Sequence, residues 1–182
     1  MFPNLVEDIL GYSFNDKSFL LQALSHSSYA HAVTDCYQRL EFLGDAILDF
    51  LITAHIYDKC GNLSPGELTD LRSALVNNVT FACLIVRFGL HKFILARACT
   101  LTDIINKFVQ HQESRNHVIG AEEENDIQVA ESIDVPKVLG DLFESLAAAV
   151  YLDSGKDLKT VWNIFYKLMA KEIGMSFLLK HW

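Results

Sequence analysis

Arg39-Leu40-Glu41-Phe42-Leu43-Gly44-Asp45-Ala46-Ile47-Leu48 carries most of the information about this chain's fold. Its apolar residues recur at intervals of three and four, the period of an α-helix rather than a strand. Two acids interrupt them four residues apart, so Glu41 and Asp45 project from one face, a turn apart. Working outward, the pattern predicts a helix from about Asp35 to Asp58, with Gly61 as its C-terminal stop. Leu40, Leu43, Ile47, Leu48 and Leu51 form one apolar face, while Phe42, Ala46 and Phe50 make the opposite face apolar too. A helix apolar nearly all round is expected in the middle of its domain.

The helical period continues on both sides. Asn15 is placed to cap a helix through Phe19, Leu20, Leu21 and Leu24. Ser64-Pro65-Gly66-Glu67 has the form of a capping box with proline at the first helical position, opening a helix through Leu71, Ala74 and Leu75. Further helices are expected over Thr80–Phe88, closed by Gly89, and over Thr102–Glu113. Pro136 opens a helix to Asp153, ended by Gly155, and a last amphipathic helix spans Leu158–Ile173. The fold class is therefore all-α, a helical bundle around a long central helix. Residues 113–135, with Glu122, Glu123, Glu124 and Asp126, lack periodicity and read as an exposed acidic inserted loop. At 182 residues and 51% apolar content, a single domain over 1–182 is expected.

The net charge of −8 is the wrong sign for a protein whose whole surface grips nucleic acid. The acids need another task. No apolar run approaches the roughly 18 to 20 residues that cross a bilayer, and Met1–Asp8 lacks the features of a signal peptide. The expectation is an intracellular, cytoplasmic protein without a membrane partner. Cys36, Cys60, Cys83 and Cys99 show neither C-x-x-C pairing nor nearby histidines at zinc-finger spacing, and buried free thiols are expected.

Asp141 and Glu144 repeat the acidic theme at a spacing of three, inside the apolar run Val138-Leu139-Gly140-Asp141-Leu142-Phe143-Glu144-Ser145-Leu146-Ala147. Four converging carboxylates cannot all stay ionised in a dry site unless a cation joins them. Oxygen-only ligands favour magnesium or manganese, and the absence of His or Cys at helical spacing argues against zinc. Two such ions ~4 Å apart activate water and stabilise the leaving oxygen of a phosphodiester. An ordinary ion-pair network, with Arg39, Arg72 or Lys137 neutralising the acids, is the alternative that spacing alone leaves open.

The ten residues from Arg39 to Leu48 resemble the signature of the ribonuclease III family. So do Gly140–Ala147, Leu71-Arg72-Ser73-Ala74-Leu75-Val76-Asn77-Asn78 and Ala23-Leu24-Ser25-His26-Ser27-Ser28, and the likeness runs from about Val6 to Met169. Thr34-Asp35-Cys36-Tyr37-Gln38-Arg39, Leu68–Ser73 and the acidic insertion before Val135-Pro136-Lys137 are most similar to the second ribonuclease III domain of Dicer-type members. Bacterial members differ in carrying further acids where this chain has Gln38 and Pro65.

The resemblance implies a metal-dependent endoribonuclease that cleaves double-stranded RNA to 5′-phosphate and 3′-hydroxyl ends, one strand per domain, in small-RNA production. It implies Glu41, Asp45, Asp141 and Glu144 as catalytic, metal-binding acids for Mg2+ or Mn2+, two ions per site. Lys137, four residues before Asp141, matches a lysine that could neutralise charge on the phosphorane; pairing with Asp141 or Asp134 is its other reading. Phe42 matches an aromatic residue inserted into a dimer partner, either a second copy or a sister domain, although periodicity alone favours a core position. The alternative function is a non-catalytic dimerisation or RNA-positioning module. No lysine-rich RNA-binding module follows Ile173, so a piece of a larger protein, weak at holding substrate, is expected.

Overall fold

Helix follows helix because the sequence punctuates each one chemically. The computed structural model describes residues 2–30, 33–117 and 134–179. Its helices are α1 (Phe2–Leu10), α2 (Lys17–Leu24), α3 (Gln38–Lys59), α4 (Pro65–Leu75), α5 (Asn78–Arg87), α6 (Cys99–Ser114), α7 (Lys137–Asp153) and α8 (Leu158–Leu179), with a 3-10 turn over Leu90–Phe93. No strand occurs among the described residues, only an isolated bridge between Ser25 and Leu95. The all-α expectation holds. The acids Glu122, Glu123, Glu124 and Asp126 of the expected loop lie outside the described residues; Glu113 belongs to α6 instead.

Several caps stand where the residue types demand them. Ser64 and Glu67 form a reciprocal capping box on α4, with Pro65 at its first position, satisfying N–H groups that the helix itself cannot pair. Asn77 caps α5 through the Thr80 amide. Gly89 and Gly155 take left-handed backbone at the ends of α5 and α7, with φ of 69° and 73°, where a side chain would be strained. Two expectations are corrected. Asp16, not Asn15, caps α2, accepting from the Ser18 amide at 2.8 Å. Gly61 is not left-handed, and α3 ends at Lys59 with Cys60 as its cap.

The long central helix is α7. From Val138 to Val150 every residue but Glu144 is buried, because α2, α3 and α5 all pack around it. Ala147, Ala148 and Ala149 let these neighbours approach closely, and the buried Ser145 hydroxyl donates to the Ala23 carbonyl of α2 at 3.0 Å. The expectation that α3 sits in the middle is corrected accordingly. It buries Leu40, Gly44, Ile47, Leu48, Leu51, Ile52 and Ile56 but leaves Phe42 83%, Phe50 58% and Tyr57 75% exposed. Among the described residues, nothing covers its second apolar face.

Helix α1 had no sequence expectation. Its buried Glu7 accepts from the Phe14 amide at 2.6 Å and pairs with Lys17. The Lys17 hydrogen bond holds its carboxyl below the usual range against the effect of burial, so burial of this acid is compensated. None of the four cysteines is in a disulfide, but only Cys83 is buried; Cys99 is exposed and Cys36 and Cys60 are half-buried. No described helix is long and apolar enough to cross a membrane.

Candidate metal centre

Two glycines bring the acids together. A Cβ on Gly44 would lie 1.8 Å from the Glu144 carbonyl oxygen, so α3 and α7 cross with backbone against backbone at this point. A Cβ on Gly140 would stand 2.0 Å from Asn78 Oδ1, which places the start of α5 against α7. At Gly44 the obstacle is backbone, so that crossing is open only to glycine, while a side chain at Gly140 would have to displace the Asn78 amide. Glu41 and Asp45, flanking Gly44 on α3, thereby meet Asp141 and Glu144 on α7.

The result is an open cleft of ≈ 410 Å³ lined by Glu41, Asp45, Asp141 and Glu144, together with Gln38, Phe42, Asn77, Asn78 and Lys137. Carboxylate oxygens of Glu41, Asp141 and Glu144 all lie within 4.8 Å of one another. Asp45 lines the same cleft but is exposed and stands outside that group. The expectation that all four acids are withdrawn from water is therefore corrected: Asp141 is buried, Glu41 and Glu144 are half-buried, and Asp45 forms the rim.

The electrostatics record the crowding. Burial, then the like charges of Asp45, Asp141 and Glu41, push the Glu144 carboxyl up to about 8, so without a counter-charge it holds its proton at neutral pH. Burial also raises Asp141, opposed by its hydrogen bond from Lys137. Lys137 Nζ donates to Asp141 Oδ1 at 2.6 Å and to Glu41 Oε1 at 2.7 Å. Despite partial desolvation of the ammonium, these two bonds raise the lysine above its ordinary value. Of the cations considered as partners, Arg72 pairs with Asp49 at 3.2 Å and Lys137 alone of the three is seen paired with the acids.

Tyr37 lies in the motif Thr34–Arg39, which by itself assigns it no role. It caps the start of α3 and its buried hydroxyl donates to Asp141 Oδ2 at 3.0 Å. The signal was present in the spacing, since Tyr37, Glu41 and Asp45 recur every four residues and so share a helical face. Gln38 lines the cleft, whereas Pro65 begins α4.

This donor set fits a divalent ion of the magnesium type. It offers oxygens alone, clustered from two rigid helices and open to solvent on one side, with one protonated carboxyl in want of a cation. The structure thus defines an all-α bundle with an acidic centre at the crossing of two of its helices.

The comparisons give the family. The family model for the Ribonuclease III domain matches residues 38–155. The chain belongs to the ribonuclease III domain family, in its Dicer-type form. It is 52% identical over 172 residues to endoribonuclease Dcr-1 of Drosophila melanogaster, covering 92% of this chain and 8% of that protein. It is 48% identical over 168 residues to endoribonuclease Dicer homolog 2 of Arabidopsis thaliana, covering 91% of this chain and 12% of that protein. The chain thus spans about a tenth of the length of these relatives. The nuclease domain of ribonuclease III from Campylobacter jejuni superposes with a TM-score of 0.66 at 28% identity, over 92% of this chain and 95% of that one. That structure concerns flexibility in a region involved in dimer formation.

Proposed function

We propose that this chain is a metal-dependent endoribonuclease domain that hydrolyses double-stranded RNA, one strand per domain, with 1–182 forming one catalytic unit with an acidic insertion. The carrying observation is the convergence of Glu41, Asp141 and Glu144 oxygens within 4.8 Å, with Glu144 pushed up to about 8. Such a cluster is costly to keep unless it holds a cation. Membership of the family and likeness to endoribonucleases named Dicer support the substrate class, and the motif around Tyr37 supports a second-domain type within it.

In this reading Glu41, Asp141 and Glu144 hold the ion, with Asp45 completing the set from the rim. Magnesium or manganese, two ions per site, would supply Lewis acidity at the phosphate and an activated water. Hydrolysis joins the water oxygen to phosphorus and breaks the bond from phosphorus to the 3′ oxygen, which leaves as a hydroxyl; the new end is a 5′-phosphate. Lys137 at the lip of the cleft offsets negative charge on the phosphate oxygens. The net charge of −8 then reflects acids that gather metal rather than RNA.

The exposed face of α3 supports pairing. Phe42, Ala46, Phe50, Thr53 and Tyr57 recur along one side, and a depression of ≈ 200 Å³ bounded by Thr53, Ile56, Tyr57 and Leu68 adjoins them. An apolar stripe of this kind marks an interface. The occupant in this reading is a second copy, or a sister ribonuclease III domain, with Phe42 as the inserted contact. Such pairing sets two clefts across one duplex.

Incubation of the purified chain with a long RNA duplex and Mg2+ tests the activity. Cleavage that stops in chelator and in Asp45→Asn or Glu144→Gln chains is expected. Equal rates for either variant and the parent would overturn the assignment. Dimers that bind no divalent ion and cut nothing would support the non-catalytic positioning module instead.

A further inference from the structure

Lys137 already joins the two acids that a shared ion would have to join. Its ammonium bridges one oxygen of each, at 2.7 and 2.6 Å, and so spans α3 and α7 across the cluster. A divalent ion would contact carboxylate oxygens at ~2.1 Å, closer than the ammonium stands, so an ion taking either of these oxygens would compete with Lys137 for it. The two also repel each other strongly at that range.

The surroundings of the three groups differ in what can move. Lys137 has its side chain 72% exposed and stands at the first position of α7, so solvent is open to it. Asp141 has its side chain only 7% exposed, and its other oxygen, Oδ2, is held by Tyr37. Tyr37 is itself 7% exposed, and its backbone amide donates to the Ser25 carbonyl at 2.9 Å. Asp141 therefore has one oxygen on a fixed donor and one on a displaceable donor. The division leaves Oδ1 for a ligand.

Resting on the metal-site reading above, we infer that Lys137 is a resident counter-cation of the acid cluster. It holds Glu41 and Asp141 together across α3 and α7 in the metal-free protein, and gives up its place when a divalent ion binds. Tyr37 is the positioning residue that keeps Asp141 aimed throughout. Lys137 then regains a free ammonium at the lip of the cleft only in the loaded state, where a phosphate group meets it. The lysine thus competes with the metal, while the tyrosine assists it.

The two residues are predicted to act on metal affinity in opposite directions. Titration calorimetry with MnCl2 alone, without RNA, on the parent, Lys137→Met and Tyr37→Phe chains reads this directly. Lys137→Met is expected to bind Mn2+ on the order of tenfold more tightly, because no ammonium must be displaced. Tyr37→Phe is expected to bind about 10- to 100-fold more weakly, the usual cost of losing a group that orients a ligand. If Lys137→Met binds with the parent's affinity or more weakly, the inference is overturned while the metal site stands. If the parent and both variants bind no Mn2+, the metal-site reading falls and this one with it. Should Lys137→Met fail to fold, the parent decides the matter: its hydrogen-bonded lysine 15N ammonium resonance is expected to vanish at saturating Mg2+, and persistence overturns the inference.

Discussion

Replacing Glu144 by glutamine should stabilise the protein while destroying its proposed function. In the metal-free chain this carboxyl titrates at about 8 rather than 4.5, chiefly through burial and secondly through Asp45, Asp141 and Glu41. An acid raised on folding binds its proton more tightly in the native state than in the unfolded one. Its folded-state penalty is therefore absent below about pH 4.5 and grows as pH rises toward 8, so stability falls through that window. At pH 7 some 2.5 pH units of the window have been crossed, and at about 1.4 kcal/mol for each the full penalty is about 3 kcal/mol. Water at the open side of the cleft screens part of it, leaving about 2 kcal/mol.

Urea denaturation in EDTA at pH 5, 7 and 8.5 measures the effect. Glu144→Gln should exceed the parent by about 2 kcal/mol at pH 7, by less than about 1 kcal/mol at pH 5, and by most at pH 8.5. Saturating Mn2+ should close or invert the gap, since 100 times the dissociation constant adds about 2.7 kcal/mol to a chain that binds the ion and little to one that does not. A glutamine variant no more stable than the parent at pH 7, or a difference that ignores pH, would refute the reasoning.

Gly44→Ala places a methyl group 1.8 Å from a backbone oxygen that cannot rotate away, so a loss of about 3 kcal/mol or more in the same denaturation assay is expected, with metal affinity lost in parallel. Gly66→Ala, in the first turn of α4 where a Cβ meets nothing within 4 Å, should instead gain about 0.5 to 1 kcal/mol. Ser64→Ala removes the acceptor of the α4 capping box and should cost about 1 kcal/mol. Phe42→Glu, on a side chain 83% exposed, should leave circular dichroism and melting unchanged but shift sedimentation from dimer to monomer at micromolar concentration, with about 2 kcal/mol or more lost from association.

Helix boundaries were legible wherever a local signal set them. The Ser64–Glu67 box, Gly89, Pro136 and Gly155 act within a turn of themselves, and the structure places helix ends at each. The choice between Asn15 and Asp16 was not legible, because both types cap and the decision lies in Asp153, far along the chain, whose carboxylate takes both their amides. The exposure of one face of α3 is not legible in the sequence, because composition reports how apolar a face is, not what covers it. Phe42, Phe50 and Tyr57 remain exposed for lack of a neighbour among the described residues.

The acids themselves were legible as pairs, four and three apart on two helices. Their unequal depth was not, since it depends on how α3 and α7 cross at Gly44. Lys137 could be placed beside Asp141 by its spacing of four, but its second bond, to Glu41, is a tertiary contact. The hydroxyl of Tyr37 likewise reaches Asp141 only once the two helices meet.

The central claim is that acids from α3 and α7 form one metal centre. Crystals soaked in MnCl2 and measured at a wavelength giving manganese anomalous signal test it most directly. The account predicts anomalous density within the cleft, bounded by Glu41, Asp141 and Glu144, with Asp45 drawn toward it and Lys137 displaced from the two oxygens it bridges. An empty cleft with Lys137 still in place, or manganese bound only elsewhere on the surface, would contradict it.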